Sequence, residues 1–400
     1  MFRLNRKALP AMLGAGIEYY DVGLYGYLAP VLAPAFFPNI RVADAYFWYF
    51  FVECFSAIAM IAGARYFGAM GDRLGRKEAL YRAILGTSTV TGIVCVIPTY
   101  QQFGVFATIV FVLTRVSQCF FLGGEYNGGA IYCLEHNRNG KEHGLMSGLY
   151  GSFTVVGIVC ASAAATLVSY FGAEHFRWCY VVSFFMALLT VRWRSQMAET
   201  PAFKHAQGDF QIPTRFVLLL MTGAALFFSL LYAVPTRVFN ALLPLQLGID
   251  RSILMLINTG ALFVLMLSMT LFGWLADRIG SRVVMALSAL STALLTYPLY
   301  RLMGEGSYGI LVAVKMVYML LAGAFIGPFH ALAVELFSVR NRYRFASTSY
   351  TIGKCVSTCM IAGIFYYYDK TQNFMLSGYF LIAVGVLMGL VLIDARHART

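Results

Sequence analysis

The sequence predicts an all-α membrane protein: twelve transmembrane helices in two pseudo-symmetric six-helix bundles, with both chain ends on the cytoplasmic side. Three observations carry this expectation. Of 400 residues, 60% are hydrophobic and only 12% charged, where soluble proteins run at roughly 45–50% and about 25%. The apolar residues fall in runs of helix length, and roughly 20 are needed per crossing. Basic residues gather in alternate loops. So little polar surface cannot cover a water-soluble particle, which excludes a soluble enzyme, a disordered chain and a disulfide scaffold.

The apolar runs place helices at about 10–37, 46–70, 79–98, 104–134, 144–170, 177–193, 216–236, 251–275, 283–302, 307–334, 346–368 and 376–394. Strands do not compete, because the runs are long and do not alternate. A lone helix also satisfies its own backbone hydrogen bonds in lipid, and an open strand does not. The first run begins like a signal peptide, with Arg3, Arg6 and Lys7 ahead of Ala8–Ile17. No small-x-small cleavage site follows, and the apolar stretch continues past Glu18 and Asp21 to Phe37, so it reads as a retained span.

With the N-terminus inside, the cytoplasmic segments hold most of the basic groups, among them Arg73, Arg76, Lys77 and Arg82, Arg138 and Lys141, Arg192 and Arg194, and Arg396 and Arg399. The outer segments hold Arg41, Arg177, Arg237, Arg251, Arg301 and Lys370. That bias fixes an N-in, C-in topology. It also accounts for the net charge of +12. No compact Lys/Arg block accompanies the charge, so nucleic acid is not expected as a partner. The eight cysteines lie almost wholly in apolar runs. Cys355 and Cys359 share a helix face, but no His or carboxylate lies close by in sequence, so they read as small buried thiols and no metal site is expected.

The longest polar stretch, Arg192 to Arg215, divides the chain into an N-terminal bundle (1–193), a cytoplasmic linker (194–215) and a C-terminal bundle (216–400). The halves echo each other. Gly68-Ala-Met-Gly-Asp72-Arg73-Leu-Gly75-Arg76 follows the second span, and Gly273-Trp-Leu-Ala-Asp277-Arg278-Ile-Gly280-Ser-Arg282 follows the eighth. Glu135 closes the fourth span and Glu335 the tenth. Two six-helix repeats around a central cavity form an architecture of alternating-access transporters.

The G-x-x-x-D-R-x-G-R-K stretch between the second and third spans resembles the signature of the major facilitator superfamily. Further stretches resemble its metabolite:proton symporter family, which includes proline/betaine, shikimate, citrate and oxoglutarate carriers. They are Gly16-Ile-Glu18-Tyr-Tyr-Asp21 with Leu24-Tyr25-Gly26, Arg115-Val-Ser-Gln118 with Gly123-Gly124-Glu125, Glu199-Thr-Pro201-Ala-Phe203, and Glu335-Leu-Phe337 with Arg340 and Arg342-Tyr343. Departures are Met60-Ile61 where the family has Arg-Pro, Cys119 where it has Gly, and Ser281 in the second signature at the place of Arg76. The resemblance implies a multi-pass carrier of the inner membrane, driven by a proton gradient with no cofactor, that moves a small carboxylate or zwitterion as a monomer in the lipid bilayer. Alternatives are a proline/betaine-type zwitterion carrier, a proton-driven exporter and, remotely, a non-transporting receptor on a carrier scaffold. No nucleophile–base or HExxH-type spacing points to a membrane enzyme, and no nucleotide-binding signature points to an ATP-driven pump.

A carboxylate at Asp72 can cap the N-terminus of a helix from the opposite half, where the macrodipole favours negative charge. Arg76 is expected to pair with Glu135. By resemblance these contacts form a cytoplasmic gate, with Asp277, Arg282, Glu335 and Arg340 as a looser second copy. The competing reading is a charged turn that only pins topology.

Ionisable groups inside the spans cost several kcal/mol unless they face a wet cavity or a partner. Here the acids are Glu18, Asp21, Glu53 and Glu125, and the bases Arg65, Arg115, Lys315 and Lys354. Arg115 and Lys315 each lie 20 residues before the glutamate that closes their span. Two cations at equivalent depths of the two repeats suit an anionic substrate that bridges them. The alternative is that Arg115 pairs permanently with Glu125 or Asp21, and that Lys315 snorkels or binds carbonyls. Lys354 is a weaker substrate contact, and Arg65 lies too near the cytoplasm. Proton coupling needs a buried carboxylate, for which Asp21 and Glu125 lead, ahead of Glu18 and Glu53. Tyr25 and Tyr232 are aromatic candidates for gripping a substrate. Gly123-Gly124 and Gly128-Gly129 are read as close helix packing, and His136, His143 and His205 as solvated loop residues.

Overall fold

A computed structural model describes residues 8–37, 42–137, 142–206 and 211–394. The expected groups Arg3, Arg6 and Lys7, Arg41, Arg138 and Lys141, and Arg396 and Arg399 lie outside the described residues. All regular structure among the described residues is helical. Nine helices there are long and apolar enough by themselves to cross a bilayer. The other three predicted spans are helices too. The first is split at Leu28 into Leu9–Tyr27 and Ala29–Phe36, the sixth (Phe176–Ser195) carries Arg192 and Arg194 in its last turn, and the eleventh (Arg342–Thr371) is rich in hydroxyl side chains.

Three spans are interrupted, each beside a proline. Pro30 follows the break at Leu28. In the seventh span a π-turn, Val234–Val238, separates Arg215–Ala233 from Phe239–Leu247 and contains Pro235. In the tenth, Gly327 and Pro328 separate Tyr308–Ile326 from Phe329–Leu336. Proline lacks an N–H and its ring clashes with the preceding turn, so a helix bends or breaks there.

The chain forms two compact units. The first comprises Met1–His136, Phe153–Gln211 and Val339–Thr351, and the second Asn137–Ser152, Ile212–Ser338 and Ile352–Thr400. Each unit thus takes one short segment from the other sequence half. Within each, equivalent helices pack through glycine. In the first unit the second span (Val42–Arg73) meets the fourth (Val105–Glu135), where a methyl added at Gly63 or Gly123 runs into the backbone of the facing helix. In the second unit the eighth (Arg251–Ile279) meets the tenth, with Gly323 and Gly327 against Ser268 and Met269. Small residues at such contacts let backbones approach, as in membrane helix pairs generally. The double-glycine runs are therefore packing surfaces. Large apolar side chains such as Val96 and Leu294, each 77% exposed, cover the remaining helix faces, as lipid contact requires.

The first unit also holds an aromatic core at the non-cytoplasmic end of the first span. Phe36 stacks on Phe111 at 4.2 Å between ring centroids, and Tyr25 on Tyr49 at 4.3 Å. The two tyrosines exchange bonds: Tyr25 Oη donates to the Tyr49 carbonyl at 2.9 Å, and Tyr49 Oη to the Tyr25 carbonyl at 2.5 Å. Tyr25 is consequently a fixed core residue, only 5% exposed.

Candidate functional site

The turn between the second and third spans needs Gly75, whose φ of 111° lies in the region that L side chains avoid. That turn sets Asp72 and Arg76 side by side at 3.1 Å. Asp72 caps the eleventh span: its carboxylate accepts from the backbone N–H of Tyr343 at 3.2 Å and of Arg344 at 2.9 Å. Arg76, fully buried, forks onto Glu135 with Nε and Nη2 each at 3.1 Å. Its remaining N–H groups go to Asp72, to the Gly71 carbonyl at 2.7 Å and to the Val339 carbonyl. Glu135 also receives Arg342 Nη1 at 3.0 Å and the Thr200 hydroxyl at 2.7 Å.

The linker motif around Thr200 closes the same cluster. Glu199 accepts from the backbone N–H of Arg76 and Lys77, each at 3.1 Å, and so caps the third span (Arg76–Val96). Phe203 lies under the Arg76 guanidinium, 5.1 Å from its ring centroid. Here spacing along the sequence had shown only Asp72, Arg76 and Glu135. Thr200 and Arg342 were visible as motif residues without a role.

The second unit repeats the cap and loosens the rest. Gly280, with φ 97°, makes the equivalent turn. Asp277 accepts from the backbone N–H of Gly144 at 2.6 Å and Leu145 at 2.8 Å, and so caps the fifth span (His143–Phe171). Ser281, at the place of Arg76, donates to Glu335 at 3.0 Å, while Arg282 stands 4.0 Å from that carboxylate. Arg340 corrects the expectation that placed it in this copy. It belongs to the first unit, where Nη2 donates to the Ala206 carbonyl at 2.9 Å. His136 is likewise corrected from solvated to buried, with Nδ1 3.0 Å from the Tyr132 carbonyl.

Deeper in the first unit, a line of polar side chains joins five helices. Asp21, 3% exposed, is held by three uncharged donors: Thr91 Oγ1 at 2.9 Å, Ser183 Oγ at 3.0 Å and Gln118 Nε2. Gln118 Oε1 accepts from Arg115 Nη1 at 2.6 Å. Arg115 in turn binds Glu53 through Nη2 at 2.7 Å and Nε at 3.1 Å, and its guanidinium lies 3.8 Å above the Tyr25 ring. Arg115, expected either to clamp a substrate anion with Lys315 or to pair permanently with Glu125 or Asp21, is compensated here by a different group. Its counter-ion is Glu53, one helix away, rather than Glu125 or Asp21. The physical reason is cost: a guanidinium 4% exposed needs a carboxylate.

Glu125 forms a fully buried ion pair with Arg194, whose Nη1 also donates to the Leu80 carbonyl at 3.2 Å. Arg194 lies inside the sixth span, although the sequence suggested the linker. Glu18 is buried on the first span, one helical turn from Asp21.

In the second unit, Lys315 is fully buried, and Nζ donates to Asn240 Oδ1 at 2.5 Å and to Asn258 Oδ1 at 3.2 Å. No carboxylate of the described residues pairs with it. Asn240 is oriented by the π-turn. The irregular backbone leaves carbonyls to be satisfied by side chains: Thr236 Oγ1 takes the Tyr232 carbonyl and Asn240 Nδ2 the Thr236 carbonyl, each at 2.6 Å. This leaves Oδ1 for the lysine. Neither asparagine was singled out from sequence, though an amide in an apolar span is itself a signal. Tyr232 is half-buried one turn before Thr236, and Lys354 is half-buried in the eleventh span.

Residues 7–219 match the model of the family described as "Sugar (and other) transporter". The proline/betaine transporter of Escherichia coli is 26% identical over 423 residues, spanning 96% of this chain and 82% of that protein. The glycine betaine/proline/ectoine/pipecolic acid transporter OusA of Dickeya dadantii is 25% identical over 422 residues, with the same coverage. The inner membrane metabolite transport protein YhjE of Escherichia coli is 26% identical and spans 99% of this chain and 94% of its own. Among solved structures, the major facilitator superfamily proton:xylose symporter XylE with bound 6-bromo-6-deoxy-D-glucose superimposes with a TM-score of 0.79 at 16% identity, covering 97% of this chain and 94% of that one.

Proposed function

The chain belongs to the sugar (and other) transporter family, and from that premise we propose that it carries a small organic acid or zwitterion together with protons by alternating access of its two sequence halves, 1–193 and 216–400. It is a multi-pass carrier of the inner membrane rather than an enzyme. The substrate class is read from Lys315: a buried ammonium held by two neutral amide oxygens keeps its net charge available for a substrate carboxylate.

Asp21 is the proton carrier in this reading. Enclosed by three uncharged donors, it can gain a proton without abandoning a cation. Glu125 cannot, because Arg194 would remain buried with its charge uncompensated. Glu125 therefore becomes a structural ion pair, and Glu53 the counter-ion of Arg115. The Asp72–Arg76–Glu135 cluster serves as a latch made in one state and broken in another. Protons and substrate drive the exchange only through tighter binding to one of the two states.

A zwitterion of the proline/betaine kind is the second reading. The Glu53 side chain is 27% exposed beside Arg115, which offers a carboxylate to a cationic head group. The discriminating measurement is uptake by proteoliposomes of labelled carboxylates, amino acids and betaines, with and without an inward proton gradient. Accumulation that requires the gradient and is lost in Lys315→Gln supports the reading. Uptake indifferent to the gradient removes the coupling, and a substrate that is solely cationic removes the role of Lys315.

A further inference from the structure

No hydrogen bond joins Asp21 to Arg115; Gln118 stands between them. Its amide has one donor end and one acceptor end, and the surroundings dictate which way it faces. The donor Nε2 meets the Asp21 carboxylate, and the acceptor Oε1 meets Arg115 Nη1 at 2.6 Å. The reverse orientation would set two donors against each other at the guanidinium and two acceptors at the carboxylate. With Asp21 ionised, only one arrangement satisfies every group.

We propose that Gln118 is a positioning residue that transmits the protonation state of Asp21 to the Arg115–Glu53 ion pair. This rests on the reading of Asp21 as proton carrier and adds the path by which that proton is felt. When Asp21 takes up one proton, its carboxyl gains an O–H donor and needs an acceptor. Gln118 turns about its terminal bond, offers Oε1 to Asp21 and presents Nε2 to Arg115. The guanidinium loses an acceptor and faces a donor, shifts away from Gln118, and its two bonds to Glu53 Oε2 rearrange. No covalent bond forms or breaks except the O–H of Asp21.

The groups facing Asp21 are few. The third span contributes Thr91 and Cys95, the fourth Gln118 and Arg115, and the sixth Ser183 and Tyr180, while Tyr20 and Glu18 share its own helix. The fifth span turns Gly157 and Ala161 toward the first. The competing acceptors for the new proton are the Thr91 and Ser183 hydroxyls, which can turn as well. If they take it, Gln118 stays in place and nothing reaches Arg115.

Infrared difference titration of the full-length protein in phosphatidylethanolamine–phosphatidylglycerol vesicles separates these cases without a substrate. Asp21→Asn and Glu53→Gln assign the two carboxyl bands. In the wild type, the Glu53 carboxylate band is expected to shift in the same pH interval in which the protonated Asp21 band grows. In Gln118→Met, which keeps length but cannot bond, the Asp21 band still grows and the Glu53 shift is lost. Gln118→Leu repeats the test in a second side chain. A Glu53 band that never moves in the wild type, or that follows Asp21 equally well in both Gln118 variants, overturns the relay while leaving Asp21 as the carrier. Failure of any Asp21 band to appear across the pH range in which the vesicles stay intact overturns the relay together with the carrier reading.

Discussion

Replacing Asp72 by alanine removes two bonds from backbone amides to a buried carboxylate, at 3.2 and 2.9 Å, and one from Arg76. Hydrogen bonds to a charged group contribute about 1.5–3 kcal/mol each. Arg76 retains Glu135, so its own loss is partial. The two backbone bonds are therefore worth about 3–6 kcal/mol to the state that contains them, which is at least about a hundredfold in the population of that state. Asp277 makes the same two backbone bonds, but it is half-exposed and forms no ion pair with an arginine among the described residues. Water replaces part of what it supplies, and the same substitution there costs about 1 kcal/mol. The assay is hydrogen exchange by mass spectrometry on peptides spanning 341–347 and 142–148 in detergent. Protection of the first peptide should fall by about a hundredfold or more in Asp72→Ala, and that of the second by less than about tenfold in Asp277→Ala. Equal losses, or an unchanged first peptide, would refute the argument that burial and the Arg76–Glu135 pair make the first cap the stronger one.

Glu125→Gln leaves Arg194 buried with its charge uncompensated and should lower stability by about 3–5 kcal/mol; adding Arg194→Gln should restore much of the melting temperature, and a double variant no better than the single one would contradict the pairing. Lys315→Gln should raise KM for a carboxylate substrate about tenfold to a hundredfold, since a charge-assisted bond is lost, while the melting temperature stays near that of the wild type. Gly63→Ala brings a methyl against the Phe120 carbonyl and should cost about 1–3 kcal/mol. Gly363→Ala, with nothing within 4 Å of the added carbon, should cost nothing measurable in the same thermal melt.

The helices and the cytoplasmic cluster were legible because both depend on order along the chain. Apolar runs give spans, and Asp72, Gly75 and Arg76 act through a turn five residues long. The partner of Arg115 was not legible. Spacing along the fourth span gives the angle between Arg115 and Glu125 but says nothing of Glu53, which reaches Arg115 from another helix. Arg194 was misplaced because hydropathy ends the sixth span at the first arginine, whereas a buried carboxylate draws the second one in. The prolines at 30, 235 and 328 were visible, yet the spans were read through them, and the amide at Asn240 acquires its orientation only from the irregular turn that Pro235 accompanies.

All five N–H groups of Arg76 are engaged, on Glu135 twice and on Asp72, Gly71 and Val339 once each. A lysine there would offer three donors from a single point, where the acceptors surround a flat fork. At least two of the five bonds would be lost in a dry interior, so a basic exchange that is harmless on most surfaces is costly at this position. Its neighbour Lys77 contributes its backbone N–H to Glu199, a role that any residue other than proline can fill.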